Sequence, residues 1–145
     1  MTGWVQTAVD DYVHRIRAPW RLAVLEIEPG RRSAAQPATR AIETEGERVL
    51  AALKPGESVI LLDERGREHS TRELASRLEA CAASGRPLAL LIGGPDGHAP
   101  AVRERAQESW SLSRLTLPHA LARVLLVEQL YRAQSLLLHH PYHRD

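Results

Sequence analysis

LALLIGGPDG, residues 88–97, decides the fold. An unbroken apolar run, 88–92, passes straight into a glycine-rich turn at Gly93-Gly94-Pro95-Asp96-Gly97. A short, continuously apolar segment is the mark of a strand buried on both faces, as in a parallel sheet. Glycines directly after it allow positive φ and a close approach of backbone to ligand. A second run of the same kind, SVILL at 58–62, leads into Asp63-Glu64-Arg65-Gly66, which reads as a loop. Between the two runs, Ser70 and Glu73 form a capping-box pattern that opens a helix over 71–83, and Gly85 closes it.

Outward from this centre the same alternation continues. Val5, Ala8, Val9, Tyr12, Val13 and Ile16 recur at helical spacing and predict a helix over 4–17, with Pro19 helping to stop it. WRLAVLEI at 20–27 reads as a strand, followed by a turn and a basic loop at Glu28–Arg32. Helices are predicted over 38–53, 99–109 and 119–138, and a further short strand over 113–117, stopped by Pro118. Strands alternating with helices imply an α/β sandwich with a mainly parallel sheet. Ligands bind such sheets at the carboxyl ends of the strands. That rule selects three loops: the one entered at Leu62-Asp63, Gly93–Gly97, and Ser113–Pro118.

The glycine-rich turn is neither a GxGxxG dinucleotide fingerprint nor a P-loop, since no Gly-Lys-Ser/Thr follows. Taken alone it is also what any tight turn requires. The helix after Pro118 is apolar round most of its circumference, so it must be covered by the sheet, by a partner chain or by both. Glu128 and Arg132, and likewise His119 and Arg123, stand four apart and share a helix face. His139, His140 and His143 cluster near the terminus, but no carboxylate or thiolate completes a ligand set, so no metal is expected. Glu26 and Glu28, and Glu43, Glu45 and Glu47, read as solvated surface. No Ser-His-Asp or Cys-His arrangement stands out.

The chain has 145 residues, 43% apolar and 26% charged, which suits one soluble domain with a real core. A net charge of +1 is not that of a protein that coats nucleic acid, so any RNA surface must be a local patch or one completed by a second subunit. All but one of the 19 basic residues are Arg, Lys54 being the exception. No apolar run is long enough to span a bilayer and no secretory signal opens the chain, so no membrane partner is expected. Cys81, the single cysteine, cannot form an intrachain disulfide, which fits a reducing cytoplasm.

Three segments carry the reading further. LIGGPDG (91–97), SWSLSRLTLPHALARVLLVEQLYRA (109–133) and HPYHRD (140–145) closely resemble the ribosomal RNA large-subunit methyltransferase H family, of the SPOUT class. WVQTAVDDYVHRI (4–16) and ETEGERVLAAL (43–53) also fit, so the likeness runs over nearly the whole chain. The resemblance implies a single SPOUT domain over 1–145 with a deep trefoil knot over about 88–145. It implies a homodimer acting in the cytoplasm on large-subunit rRNA within the ribosome, with no DNA partner. By matched position, S-adenosyl-L-methionine would be held by Leu62, Asp63, Gly94 and Ser113-Arg114-Leu115-Thr116-Leu117-Pro118. These are the three loops that the strand-end rule selects independently.

The reaction so implied is methyl transfer to N3 of a pseudouridine. The N3 proton must leave, and a cationic or basic group beside the base would stabilise the developing anion. His143, Arg144 and Arg123 are the candidates by resemblance, with Tyr142 placing the base. Family members also carry an apolar strand ahead of the first helix, whereas this sequence opens at Met1-Thr2-Gly3-Trp4, almost on that helix. The family strand is therefore expected to be missing, and a chain extended upstream to be more soluble and higher melting. A non-catalytic RNA- or ribosome-binding module of the same fold is the alternative, and titration with S-adenosylmethionine separates the two. A small-molecule-binding α/β domain unrelated to RNA is a third reading, which the missing nucleotide fingerprints oppose.

Overall fold

Residues 58–62 form the spine of the sheet, and their alternation sorts the core into two faces. The computed structural model describes every residue except Gln36, Pro95 and Asp145, so Pro95 of the glycine-rich turn lies outside the described residues. Strand β1 (Ser58–Glu68) is central, β2 (Leu88–Ile92) pairs along one side and β3 (Glu108–Ser111) along the other, all parallel. The helices are α1 (Gly3–Arg15), α2 (Ala38–Ala52), α3 (Thr71–Ala83), α4 (Pro100–Arg105) and α5 (His119–Leu137).

Side chains alternate across a strand. Val59 and Leu61 accordingly meet α4 through Val102 and α2 through Ile42, Val49 and Leu50. Ile60 and Leu62 join Leu74, Ala75 and Leu78 of α3, Trp110 of β3, and Leu126, Leu130 and Ala133 of α5. Helix α1 lays Val5 and Val9 on Val127 of α5. The apolar circumference of α5 is thus taken up by α3, by α1 and by the core on one face of the sheet, while Leu121 stays 47% exposed. Ser70 Oγ accepts the Glu73 N–H at 3.1 Å, the cap that starts α3 where the sequence puts it.

Four expectations need correction. Residues 20–27 form no strand: Trp20 and Leu22 tuck against the core, but Val24 and Leu25 are 42% and 71% exposed. Both sides of β1 are already paired, and this segment joins no ladder among the described residues. The third strand is 108–111 rather than 113–117. Gln107 sets it, its N–H bonding to the Val59 carbonyl and its Oε1 accepting the Val59 N–H, which also ends α4 early. Asp63-Glu64-Arg65-Gly66 lies within β1 as a bulge, since both Leu62 and Arg67 fall opposite Trp110. Finally, Glu26 and Glu45 are not merely solvated: Glu26 pairs with the Met1 ammonium and with Arg123, and Glu45 with Arg32.

Candidate functional site

The register decides where the site is. Leu62 stands opposite Ile92 on one side and Trp110 on the other, so the three strands reach the same level together. Adjacent strands lie about 4.8 Å apart, which puts the bulge after Leu62 and the loops that leave β2 and β3 within about 10 Å of one another. They enclose a cleft of about 670 Å³. That size suits a small-molecule ligand.

Leu62, Asp63, Gly94, Ser113, Leu115, Thr116, Leu117 and Pro118 all line this cleft. Arg114, in the same loop, does not: it is 85% exposed and its guanidinium lies 3.7 Å from Glu68. The loop is shaped by its own hydroxyls, Ser111 Oγ donating to the Ser113 carbonyl at 2.8 Å and Ser113 Oγ accepting the Leu115 N–H at 3.0 Å. Thr116 donates across the mouth to Glu64 at 3.3 Å. Pro118 then starts α5 without a side-chain cap, and His119 and Ala122 of its first turn face the cleft.

On the glycine side, Gly94 and Gly97 pair with each other, Gly97 at φ 84°, a left-handed conformation that favours glycine. The Asp63 carboxylate is already engaged: Oδ2 accepts from Arg103 at 2.7 Å and Oδ1 from the Arg65 N–H at 2.9 Å. The Arg65 N–H and the Arg103 guanidinium hold its carboxyl below the usual range, against the opposing effect of burial. His98 Nε2 lies 3.1 Å from the Leu62 carbonyl, and burial pushes its imidazole towards the neutral form. The cleft therefore offers apolar walls, backbone polar groups and a few fixed side chains, a mixture that suits a small molecule with both apolar and polar parts.

A family profile described as "Predicted SPOUT methyltransferase" matches residues 1–143. The chain belongs to the SPOUT methyltransferase family. Its similar proteins include the ribosomal RNA large subunit methyltransferase H of Xanthomonas campestris pv. campestris (strain B100), 50% identical over 142 residues, or 98% of this chain and 91% of that protein. The protein of the same name from Methylococcus capsulatus is 47% identical over 144 residues, covering 99% of this chain and 93% of that protein. This places the SPOUT chain beside the large-subunit methyltransferase H proteins over almost its full length.

The other candidates of this SPOUT chain lie elsewhere. Arg123 sits one turn into α5, pairs with Glu26 at 3.3 Å, and lines a hollow with Met1, Thr2 and Val5 that adjoins the cleft through Pro118 and His119. Tyr142 is folded back onto the far half of α5, its hydroxyl 3.1 Å from Glu128 Oε1 and 3.3 Å from the Tyr12 hydroxyl. Its ring meets Tyr131 edge-on at 4.6 Å, and the Arg132 guanidinium covers it at 4.7 Å. His143 Nδ1 lies 3.4 Å from Arg132. Arg144 is exposed. The rise of a helix puts Glu128 about 13 Å along the axis from His119. Within one chain, then, Tyr142 and His143 are held well away from the cleft.

Sequence reasoning missed His98 and Arg103, which line the cleft. His98 was within reach, as it directly follows the glycine turn. Arg103 carries no local signal, because its partner Asp63 is 40 residues away. Among the described residues no group of His, Cys, Asp or Glu is arranged to hold a metal, and no helix is long and apolar enough to cross a membrane.

Proposed function

We propose that this chain transfers a methyl group from S-adenosyl-L-methionine to N3 of a pseudouridine in large-subunit rRNA, acting on the ribosome in the cytoplasm as a homodimer. The observation that carries the reading is the shared level of Leu62, Ile92 and Trp110, which turns three loops distant in sequence into one cleft. The match to the methyltransferase H proteins supports the substrate through their name.

On this reading the residues 1–145 are one domain, knotted over about 88–145. Leu62, Leu115, Leu117 and Pro118 supply apolar walls for the nucleoside, and Gly94 lets backbone approach it. Asp63 acts through its fixed position more than its charge, both oxygens being already engaged. Arg114 holds the outer rim of the loop or meets phosphate. The bound S-adenosylmethionine supplies an electrophilic methyl on a sulfonium.

The chain's own work is then to place the base and to manage the N3 proton. Positioning comes first, since alignment of the nucleophilic nitrogen removes most of the entropic part of the barrier. Tyr142 orients the base, and His143, Arg144 and Arg123 stabilise the anion that forms as the N3 proton passes to solvent, leaving N3 free to take the methyl group as its bond to sulfur breaks. The distance between the tail and its own cleft favours a partner subunit whose tail reaches across. No membrane or DNA partner enters this reading.

Ribosomes lacking the modification, given labelled S-adenosylmethionine and the chain, test it. Label on N3 of one large-subunit pseudouridine is the expected result. Binding of S-adenosylmethionine without transfer to any base would point to the non-catalytic module instead.

A further inference from the structure

A strap at residues 28–32 crosses α2 and grips the glycine turn. Its start is pinned by Arg48 of α2, which donates to the Glu28 and Pro29 carbonyls at 2.8 and 3.0 Å. Gly30 lies so close to α2 that a Cβ there would sit 2.5 Å from the Ala41 carbonyl oxygen. Its N–H reaches Glu45 Oε1 at 2.9 Å. Arg32 completes the arrangement, donating from Nη1 to the same Glu45 oxygen at 2.8 Å and from Nε to Asp96 Oδ2 at 2.6 Å. The other Glu45 oxygen faces Gly94, 2.8 Å from where a Cβ would stand.

Asp96 and Gly94 line the cleft, whereas Arg32 and Glu45 do not. Two charges from outside the site thus hold a turn rich in glycine, the residue with most conformational freedom to lose on binding. The Glu45 side chain is only 13% exposed, and the charge-assisted bonds are short, as befits a fixed grip.

We propose that Arg32 and Glu45 are positioning residues for the S-adenosylmethionine site: with Asp96 they form a clasp that presets the glycine turn for the cofactor. The inference rests on the reading of the cleft as that site. The strap is then part of the binding machinery although none of its side chains need touch the ligand.

Titration calorimetry with S-adenosylhomocysteine, alongside steady-state kinetics on ribosomes, tests this. Arg32→Ala should raise Kd and the KM for S-adenosylmethionine about two- to fivefold, the range open to a partly exposed ion pair. The kcat at saturating cofactor and the KM for ribosomes should stay unchanged, and Arg32→Lys should recover part of the affinity. Asp96→Asn should weaken binding as well, and the double variant should lose less than the two single effects combined. If Arg32→Ala does not fold, Arg32→Lys and Asp96→Asn carry the same comparison. An unchanged Kd, fully additive losses, or a rise confined to the ribosome KM would overturn the clasp while leaving the cofactor reading intact. Failure of the unaltered chain to bind S-adenosylhomocysteine would remove the cofactor reading, and the clasp with it.

Discussion

At its amino end α5 meets a cleft: no side chain caps its first turn, and His119 and Ala122 face open space between loops. At its carboxyl end the same helix is closed over. Glu128 accepts from Arg132 and from Tyr142, the Tyr142 ring meets Tyr131 edge-on, and Gln134 reaches across to both the N–H and the carbonyl of Arg17. The polar groups at one end are left for something to complete, and those at the other are completed by the chain itself. That contrast separates residues whose loss alters ligand handling from residues whose loss alters stability.

The sharpest break comes in the closed half. Leu130→Ala should cost about 3 kcal/mol, the usual loss for a buried leucine, and lower Tm by about 9 °C. Affinity for S-adenosylhomocysteine measured well below the melt should be unaltered. If affinity falls in step with stability, the two ends are one unit and the contrast is wrong.

Arg144→Ala tests the tail in catalysis. Turnover should drop about hundredfold, the scale of losing one group that stabilises developing charge. The affinity for S-adenosylhomocysteine should hardly change, and equal loss of both would count against that role.

Tyr142→Phe sharpens the comparison with pH. It removes the hydrogen bonds to Glu128 and Tyr12, at a cost of about 1 kcal/mol at neutral pH. Burial, then the hydrogen bonds to Tyr12 and Glu128, raise the phenol above its ordinary value, so the fold favours the protonated form. Its contribution is complete below the unfolded value of about 10 and is lost as pH rises beyond it. The gap between the melting curves of the two proteins should be narrower at pH 11 than at pH 8, since loss begins above the unfolded value. The smallest effect belongs to the open half: Arg123→Ala breaks a partly exposed pair with Glu26 and should change stability by no more than about 0.5 kcal/mol. A larger change in the melt would make Arg123 a structural residue.

What the sequence disclosed follows the range of the interactions involved. Helix α3 and strand β2 stand where composition puts them, because a local cap and a local apolar run define them. The cleft was legible as three segments beside strand ends, although the first proved to be a bulge inside β1 and the third, read as a strand, proved to be the loop that follows β3. Residues 113–117 misled because SRLTL alternates like a strand, yet Leu115 is 73% exposed; pairing partners are chosen by Val59 and Gln107, far apart in the chain. Residues 20–27 have strand composition but no ladder. The hold of Glu45 on Arg32, and through it on Asp96, was hidden by its neighbours Glu43 and Glu47, which are exposed as an acidic helix face should be. Long-range ion pairs such as Arg103 with Asp63 have no sequence period at all.

The most direct test of the central claim is a backbone amide NMR titration with S-adenosylhomocysteine. The amides of Leu62 and Asp63, of Gly93, Gly94 and Gly97, and of Ser113–Leu117 should shift together, with one dissociation constant. Shifts at only one of those three loops, or centred on the hollow beside Arg123, would contradict it.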